Sequence, residues 1–391
     1  MFSIHLKQKK REKFMIEVKQ VTSKKDWKIF ATFAINLYKD NPHYVPVFIS
    51  DDKNIANPKK NPSAQNTIVK AFLAYKDGKV VGRIAGVILK DSPLEEDKKL
   101  VRFSRFDVID DFEVTKALFN KLEEFSKENG KEGIHGPWGF NDTDREGLLT
   151  SGFDEDGSYA TIYNHAYYNE HLIKMGYEKE SGWIETEVKL PGKGEHNYDR
   201  YVKLGSYVKK RYKLTEACEK MPLKKVIKTY GDSFFECYNE AYNALDMFVE
   251  INPDTKKQVL AQFAVMINKE YFSVILDENE KVVAFCVLLP SFGKLLKKHG
   301  GKMSLPFILE LAKYLKKPDV LELTLIAVRP EFLKMGYTAA CIKRIMENVD
   351  KNKVKKIVCL PTLESNTAVR SQWSALEHKD TKTRQTYIKK I

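Results

Sequence analysis

The sequence is poor in the residues that build disulfide frameworks and metal centres. Only five of its 391 residues are cysteine; all five lie in the second half, and none forms a CxxC pair. The eight histidines are scattered without the spacing of metal ligands. No apolar run approaches the roughly 20 residues that a membrane-spanning helix needs. We therefore expect a cytoplasmic protein without disulfides, a structural metal or a membrane span.

What is present is typical of a folded protein with more than one domain. Apolar residues make up 43% and aromatic residues 12% of the chain. Its length predicts two domains of roughly 180 residues each. The first 14 residues carry five Lys/Arg and one Glu and have no long apolar core, so residues 1–14 are expected to be a flexible basic extension rather than a secretory signal.

The formal net charge of +13 allows two interpretations. It fits an acidic partner, such as a polyphosphate cofactor or nucleic acid, and it also fits a solvated, lysine-rich surface. No aromatic and basic motif of a nucleic-acid-binding module is found, so nucleic acid is not the expected partner.

The two halves of the chain repeat one pattern of elements. Residues 71–89 and 272–290 both form a predicted β-hairpin, and the first has Asp77-Gly78 at its turn. Each hairpin is followed by a strand, a helix, a second strand, a helical segment and a final β-rich run; in the second half the helix is predicted to run from Lys334 to Val349. Two copies of one α/β unit explain this order. We place the first domain at residues 15–195 and the second at 205–391, with the join in the Gly-rich and polar segment 190–205.

This order of elements, with short motifs inside it, resembles the GNAT acyltransferase superfamily. Leu333 to Thr338 aligns with that family's phosphate-binding motif Q/R-x-x-G-x-G/A. The stretches NPHYVPVF (41–48), DREGLLTSGFD (144–154), ATIYNHAYYNEHLIKMGY (160–177) and SQWSALEH (371–378) are similar to bacterial tandem-GNAT proteins of unassigned substrate. The resemblance implies a mixed α/β sheet in two tandem GNAT-like domains that use acetyl-CoA or a longer acyl-CoA as co-substrate.

The resemblance assigns the CoA site to the second domain. There, a strand backbone would hold the pantetheine arm, and the amides of a turn at a helix N-terminus would face the pyrophosphate. The expected cofactor-binding residues are Ile326, Ala327, Val328, Leu333, Lys334, Met335, Gly336, Tyr337 and Thr338. A plain helix start remains an alternative interpretation, because Leu333 and Thr338 depart from the motif.

The corresponding crossover of the first domain looks unsuitable for CoA. Residues 106–113 contain no glycine and four carboxylates, which would satisfy the helix dipole themselves and repel a pyrophosphate. We expect this domain to be degenerate for CoA binding and to supply an interface, an acceptor-side wall or a scaffold.

Three residues are candidates for the chemistry of acyl transfer to an amine. Glu322 is either the base that acts through water or an edge carboxylate that faces solvent. Asn366 is either part of the site or a helix cap. Trp373 stands where many GNATs have a proton-donating tyrosine, and its indole N–H cannot replace that donor.

The resemblance thus implies an N-acyltransferase, with N-acetyl transfer as the first expectation, in which a small-molecule or peptide amine attacks the acyl group directly. The alternative is a catalytically degenerate module that binds a CoA-like ligand or a protein partner. The oligomeric state is left open.

Overall fold

The secondary structure follows the predicted repeat. A computed structural model describes residues 16–245 and 247–391; the predicted extension at residues 1–14 lies outside them. The strands are β1 Ile16–Gln20, β2 Thr67–Lys76, β3 Lys79–Leu89, β4 Leu100–Val108, β5 Gly133–Gly136, β6 Leu148–Ser151, β7 Glu178–Lys189, β8 Thr215–Glu216, β9 Phe272–Leu276, β10 Val282–Pro290, β11 Val320–Val328, β12 Lys356–Leu363 and β13 Glu377–Lys390. The helices are α1 Lys24–Leu37, α2 Ile49–Lys53, α3 Glu95–Lys99, α4 Phe112–Glu128, α5 Tyr167–Lys174, α6 His196–Arg211, α7 Ala217–Lys220, α8 Leu223–Tyr242, α9 Pro253–Met266, α10 Gly293–Lys298, α11 Leu305–Tyr314, α12 Tyr337–Asn352 and α13 Thr367–Arg370.

Both predicted hairpins are confirmed. β2 and β3 pair antiparallel around Asp77 and Gly78, and both turn residues have positive φ, as a two-residue hairpin turn requires. β9 and β10 form the second hairpin. In each half the next strand runs antiparallel to the hairpin, and a long amphipathic helix, α4 or α12, then crosses back to a parallel strand.

The last strand of each half lies against the other half. The sheet has the order β1-β2-β3-β4-β5-β13-β7-β12-β11-β10-β9-β8, and β6 pairs with β13 outside this path. β7, the last strand of the first half, therefore pairs with β12 of the second half, and β13, the last strand of the second half, pairs with β5 of the first half. β7 and β13 pair with each other between them. One continuous sheet results, so the two halves share their central strands.

An ion-pair triad joins the two exchanged strands. Glu185 of β7 accepts hydrogen bonds from Lys382 and Arg384 of β13, at 2.8 and 2.5 Å. The exposed fractions of these residues are 0%, 5% and 1%, so all three charges are buried. Burial by itself would raise the pKa of Glu185, but the two cations outweigh it and hold that pKa below its ordinary value.

Apolar cores lie on the helix-covered parts of this sheet. In the first half, Phe103 and Phe119 belong to the core between α4 and the strands. In the second half, α12 packs Cys341 and Ile345 against β9 to β12, and α6 packs on the outer side of α12. Among the described residues, no helix is both long enough and apolar enough to cross a membrane.

Candidate active site

A cavity opens where β11 and β12 stop pairing. The two strands run parallel and are hydrogen-bonded only from Val320 and Lys356 to Leu323 and Cys359. Beyond that point β11 stays paired with β10, and β12 with β7. The space between the diverging strands is a cavity of about 320 Å³, lined on one side by residues 323–328 and on the other by residues 359–363.

The predicted strand residues Ile326, Ala327 and Val328 line this cavity. Because β12 has turned away, one backbone edge of β11 borders the cavity rather than a neighbouring strand. The register of β11 against β10 shifts next to Leu323, and the Thr324 hydroxyl donates to the Val287 carbonyl at 3.0 Å. A bulge of this kind bends the strand locally, and it lies at the point where the pairing of β11 with β12 ends.

The predicted phosphate-binding segment follows β11 as a turn. The prediction that its helix begins at Lys334 is wrong, since residues 330–332 form a 3₁₀ turn and α12 begins at Tyr337. Gly336 precedes α12 with a φ of +82°, and Lys334 also has a positive φ. A β-carbon at Gly336 would lie 3.2 Å from Val208 Cγ2. The tight, partly left-handed turn therefore separates the strand from the helix, and glycine fits it without strain.

Some amides of this turn are available and others are not. Leu333 and Met335 donate to the carbonyls of Pro330 and Phe332, at 3.2 Å each. Within the described part of the chain, the amides of Lys334, Gly336, Tyr337 and Thr338 have no backbone or side-chain acceptor. These four donors lie at the positive end of the α12 dipole, where an anion is favoured.

The side chains of the turn divide between the cavity and the core. Leu333 and Thr338 line the cavity, and the Leu333 side chain is 57% exposed. Lys334 is exposed and forms no ion pair with any described residue. Met335 packs against the core. Tyr337 is buried and stacks on Phe332, with ring centroids 4.8 Å apart, and this contact joins the two ends of the turn.

Glu322 does not face solvent, so that interpretation is wrong. It is buried, and its carboxylate accepts hydrogen bonds from Ser158 Oγ at 2.8 Å and Ser291 Oγ at 2.6 Å. Burial raises its pKa, and the two serine hydroxyls oppose that rise. The cavity lining does not include Glu322. Its carboxylate, bonded to a serine from each half, is well placed to join the halves.

The two remaining predicted residues line the cavity. Asn366 also caps α13, because its Oδ1 accepts a hydrogen bond from the Val369 amide at 3.2 Å. The capping interpretation is thus confirmed, and a role in the reaction stays a prediction. Trp373 is buried and presents an apolar wall.

Asp142, Glu146 and Tyr238 are polar residues of the cavity that were not predicted from the sequence. Asp142 and Glu146 come from the loop between β5 and β6 in the first half, and Tyr238 comes from α8 in the second. Burial raises the pKa of Asp142 to about 7. Burial, and then the neighbouring charge of Asp142, raises the pKa of Glu146 well above its ordinary value. Glu146 lies in DREGLLTSGFD, one of the stretches that resemble tandem-GNAT proteins, and this was the one indication in the sequence. Nothing in the sequence shows that this loop reaches the second half.

The equivalent space of the first half is filled. β4 and β5 diverge after Arg102 as β11 and β12 do after Leu323. Only about 30 Å³ remains beside them. Ion pairs occupy the region: the buried Arg83 bonds Asp52 and Asp107, at 2.8 and 2.7 Å, and the half-buried Arg105 bonds Asp144 at 2.8 Å.

Comparison with known proteins gives partial relatives in sequence and full-length neighbours in fold. No protein-family profile matches the chain. Protein YghO of Escherichia coli (strain K12) is 33% identical over 163 residues, which are 41% of this chain and 41% of that protein. The bacterial ceramide synthase of Caulobacter vibrioides (strain NA1000 / CB15N) is 25% identical over 191 residues, 49% of this chain and 50% of that protein. The matches thus span half or less of the length of these curated relatives.

The fold comparison covers nearly the whole chain. A tandem GNAT protein from the clavulanic acid biosynthesis pathway superposes with a TM-score of 0.52 over 96% of this chain and 98% of that one, at 10% sequence identity. The protein described here has the tandem GNAT fold, a mixed α/β fold.

Proposed function

We propose that the protein is an acyl-CoA-dependent N-acyltransferase whose CoA site is the cavity of the second half. One observation carries the proposal: the cavity between β11 and β12 is bordered both by the edge of β11 that pairs with no strand and by Leu333 and Thr338, the two ends of the turn that contains Gly336. An extended pantetheine arm needs the first, and a pyrophosphate needs the second. Lys334, exposed and without an ion pair to a described residue, would add a positive charge at the turn.

The reaction is direct attack of an amine nitrogen on the thioester carbon, with acetyl-CoA or a longer acyl-CoA as the donor. Ile326, Ala327 and Val328 would hold the arm and the thioester along the strand edge. The free amides of Lys334, Gly336 and Thr338 would bind phosphate oxygens. Leu333 and Trp373, which are apolar, would exclude water from the acyl group.

The acceptor that we favour is a long-chain amine. A ceramide is by definition an N-acylated sphingoid base, so the Caulobacter relative is named for an amide-forming reaction of this kind. The cavity wall formed by Leu245, Leu325 and Leu360 is apolar, as an alkyl chain requires. Peptide and small polar amines are the competing acceptor classes.

The first half would not bind a second CoA. The ion pairs of Arg83 and Arg105 fill the counterpart of the cavity, and their carboxylate partners would oppose a pyrophosphate. We propose that this half serves as a scaffold and as a wall of the one site.

Measurements of CoA binding and of acyl transfer distinguish the N-acyltransferase from a catalytically degenerate module. Thermal unfolding should be measured with CoA, acetyl-CoA and palmitoyl-CoA; a ligand at about 100 times its Kd adds about 2.7 kcal/mol of stability. Thiol release should then be followed with sphinganine, octylamine and a lysine peptide. Stabilisation with amide formation supports the proposal. Stabilisation without turnover on any amine would favour the degenerate module, to which Trp373 in the proton donor's position points. No response to any CoA species would refute CoA binding.

A further inference from the structure

Three polar groups converge on the cavity from both halves. Asp142 and Glu146 reach it from the loop after β5, and Tyr238 reaches it from α8. The Tyr238 side chain is 1% exposed, yet its hydroxyl has no hydrogen-bond partner among the residues that the structure describes. The buried Gln372 Oε1, another cavity-lining group, is also without one. Buried hydroxyl and amide groups are costly when they have no partner, so these atoms indicate a ligand with polar hydrogens.

The two carboxyl groups are also short of cations. Within the described residues, Glu146 forms no hydrogen bond or ion pair, and the Asp142 carboxyl is bonded by backbone amides, those of Val249 and of Asp142 itself, rather than by a cation. Arg102, the cation whose field reaches both carboxyls, is already bonded to Asp97 at 2.6 and 2.8 Å. Neighbouring carboxyls without a cation destabilise a fold, and such groups concentrate at functional sites.

A primary ammonium group matches this arrangement. It carries one positive charge and three N–H donors, as the lysine side chain does. Two carboxyls and a hydroxyl oxygen offer three acceptors around one wall of the cavity. An anion would be repelled by the carboxyls, and a neutral apolar group would leave all three oxygens without partners.

We propose that Asp142, Glu146 and Tyr238 form the subsite that binds the amino group of the acceptor, and that the carboxyl pair takes up the proton which the amine must lose. This inference rests on the acyl transfer proposed above. In this proposal the first half takes part in the reaction, because its loop between β5 and β6 supplies both carboxyls. The proposed CoA-binding residues of the same site all belong to the second half.

The proton balance follows from the subsite. The bound R–NH3⁺ gives one proton to the carboxylate of the pair, and the freed lone pair attacks the thioester carbon. A C–N bond forms, the C–S bond breaks, and the leaving thiolate takes a second proton from the nitrogen. The products are the amide R′–CO–NH–R and CoA–SH, and the carboxyl pair returns its proton to water.

The first experiment measures amine binding without any transfer. Octylamine and 1-octanol are titrated into the full-length protein and into the variants D142N, E146Q and D142N/E146Q. We expect the wild type to prefer the amine, and the double variant to bind it about 10- to 100-fold more weakly with little change for the alcohol. E132Q is the matched control, since Glu132 precedes β5, is exposed and uses only its backbone in hydrogen bonds.

The second experiment is the pH profile of kcat/KM for octylamine with the preferred acyl-CoA. In the wild type, the carboxylate that accepts the proton must be ionised. The value of kcat/KM should therefore be constant above about pH 7 and should decrease as the pH falls below 7. The double variant can use only the free amine, so its rate should rise about tenfold per pH unit up to the pKa of an alkylamine, near 10. A merely structural loss would lower the rate but keep the plateau.

The outcomes separate this inference from the proposed function. If the wild type transfers acyl groups and the double variant keeps both its amine affinity and its plateau, the subsite is wrong and the function stands. If no acyl-CoA binds, the function fails, and the octylamine titration still decides the subsite. Unchanged acyl-CoA stabilisation in each variant shows that it is folded; E146D, which keeps the charge, should recover most of the amine affinity lost in E146Q.

Discussion

Neutralising Glu185 should reveal how strongly the exchanged strands hold the two halves together. Glu185 bonds Lys382 at 2.8 Å and Arg384 at 2.5 Å, and all three side chains are almost fully buried. In E185Q the two cations of β13 would remain buried without an anion. Leaving a buried charge uncompensated typically costs about 3–5 kcal/mol.

This cost converts into a measurable shift of the melting temperature. With an unfolding entropy of about 2.1 cal/mol/K per residue, one kcal/mol moves the Tm of a chain of this length by about 1 °C. We therefore expect E185Q to melt about 4–6 °C below the wild type at neutral pH, if the shared sheet unfolds as one unit. Differential scanning calorimetry gives both the Tm and the number of transitions.

Two further variants test the cause. E187Q is the matched control, because Glu187 lies two residues along β7 but pairs with Lys356 at the surface, where an ion pair contributes about 0–1 kcal/mol. E185L/K382M/R384M removes all three charges and should melt near the wild type. A Tm of E185Q within 1 °C of the wild type would refute the reasoning.

The pH dependence of this difference has a definite sign. The cations hold the pKa of Glu185 below its ordinary value. Its stabilising contribution is therefore present above the ordinary range of a glutamate and is lost as the pH falls through the folded-state pKa. The melting temperatures of E185Q and the wild type should converge in acid.

Three other predictions concern the turn, the strand exchange and the carboxyl pair. G336V should lower acyl-CoA affinity at least tenfold in a ligand titration, because a β-branched residue at a φ of +82° is strained by about 1–3 kcal/mol and its β-carbon meets Val208. A protease site inserted at residues 192–194, between β7 and α6, should give two fragments that elute together in gel filtration and separate only in denaturant, because β7 and β13 are exchanged. D142N should be more stable than the wild type by up to about 4 kcal/mol at pH 8, because folding raises the pKa of this aspartate from 3.8 to about 7 and each pKa unit is worth about 1.4 kcal/mol.

Each of these has its own control. G78V places the same residue at a φ of +74° in an open turn, so it should lose stability but keep acyl-CoA affinity; equal losses in both variants would contradict the role of Gly336. Two separately eluting, folded fragments would contradict the interlocked strands. The raised pKa of Asp142 begins to disfavour folding above about pH 4, and the effect is complete above about pH 7. The stability difference between D142N and the wild type should therefore shrink toward pH 4. A difference that does not depend on pH would contradict the raised pKa.

The repeat and its elements could be predicted from the sequence because they rest on local patterns. Alternating apolar residues and Asp77-Gly78 determine the first hairpin, and the apolar stripes of α4 and α12 determine which helix faces are buried. Gly336 was recognisable because few other residues tolerate its conformation. The predicted start of α12 at Lys334 was wrong because Lys334 adopts a positive φ, and a lysine in the sequence does not indicate that conformation.

The tertiary structure alone decided where the two halves meet and which groups share the cavity. Strand pairing joins residues far apart in the chain, and the same β-rich runs could complete either half; only the exchange of β7 and β13 settles the choice. That exchange brings Asp142 and Glu146 beside Tyr238, and it buries the triad of Glu185. A sequence records which side chains are present, whereas their burial, their pKa values and their partners depend on contacts that form only when the chain folds.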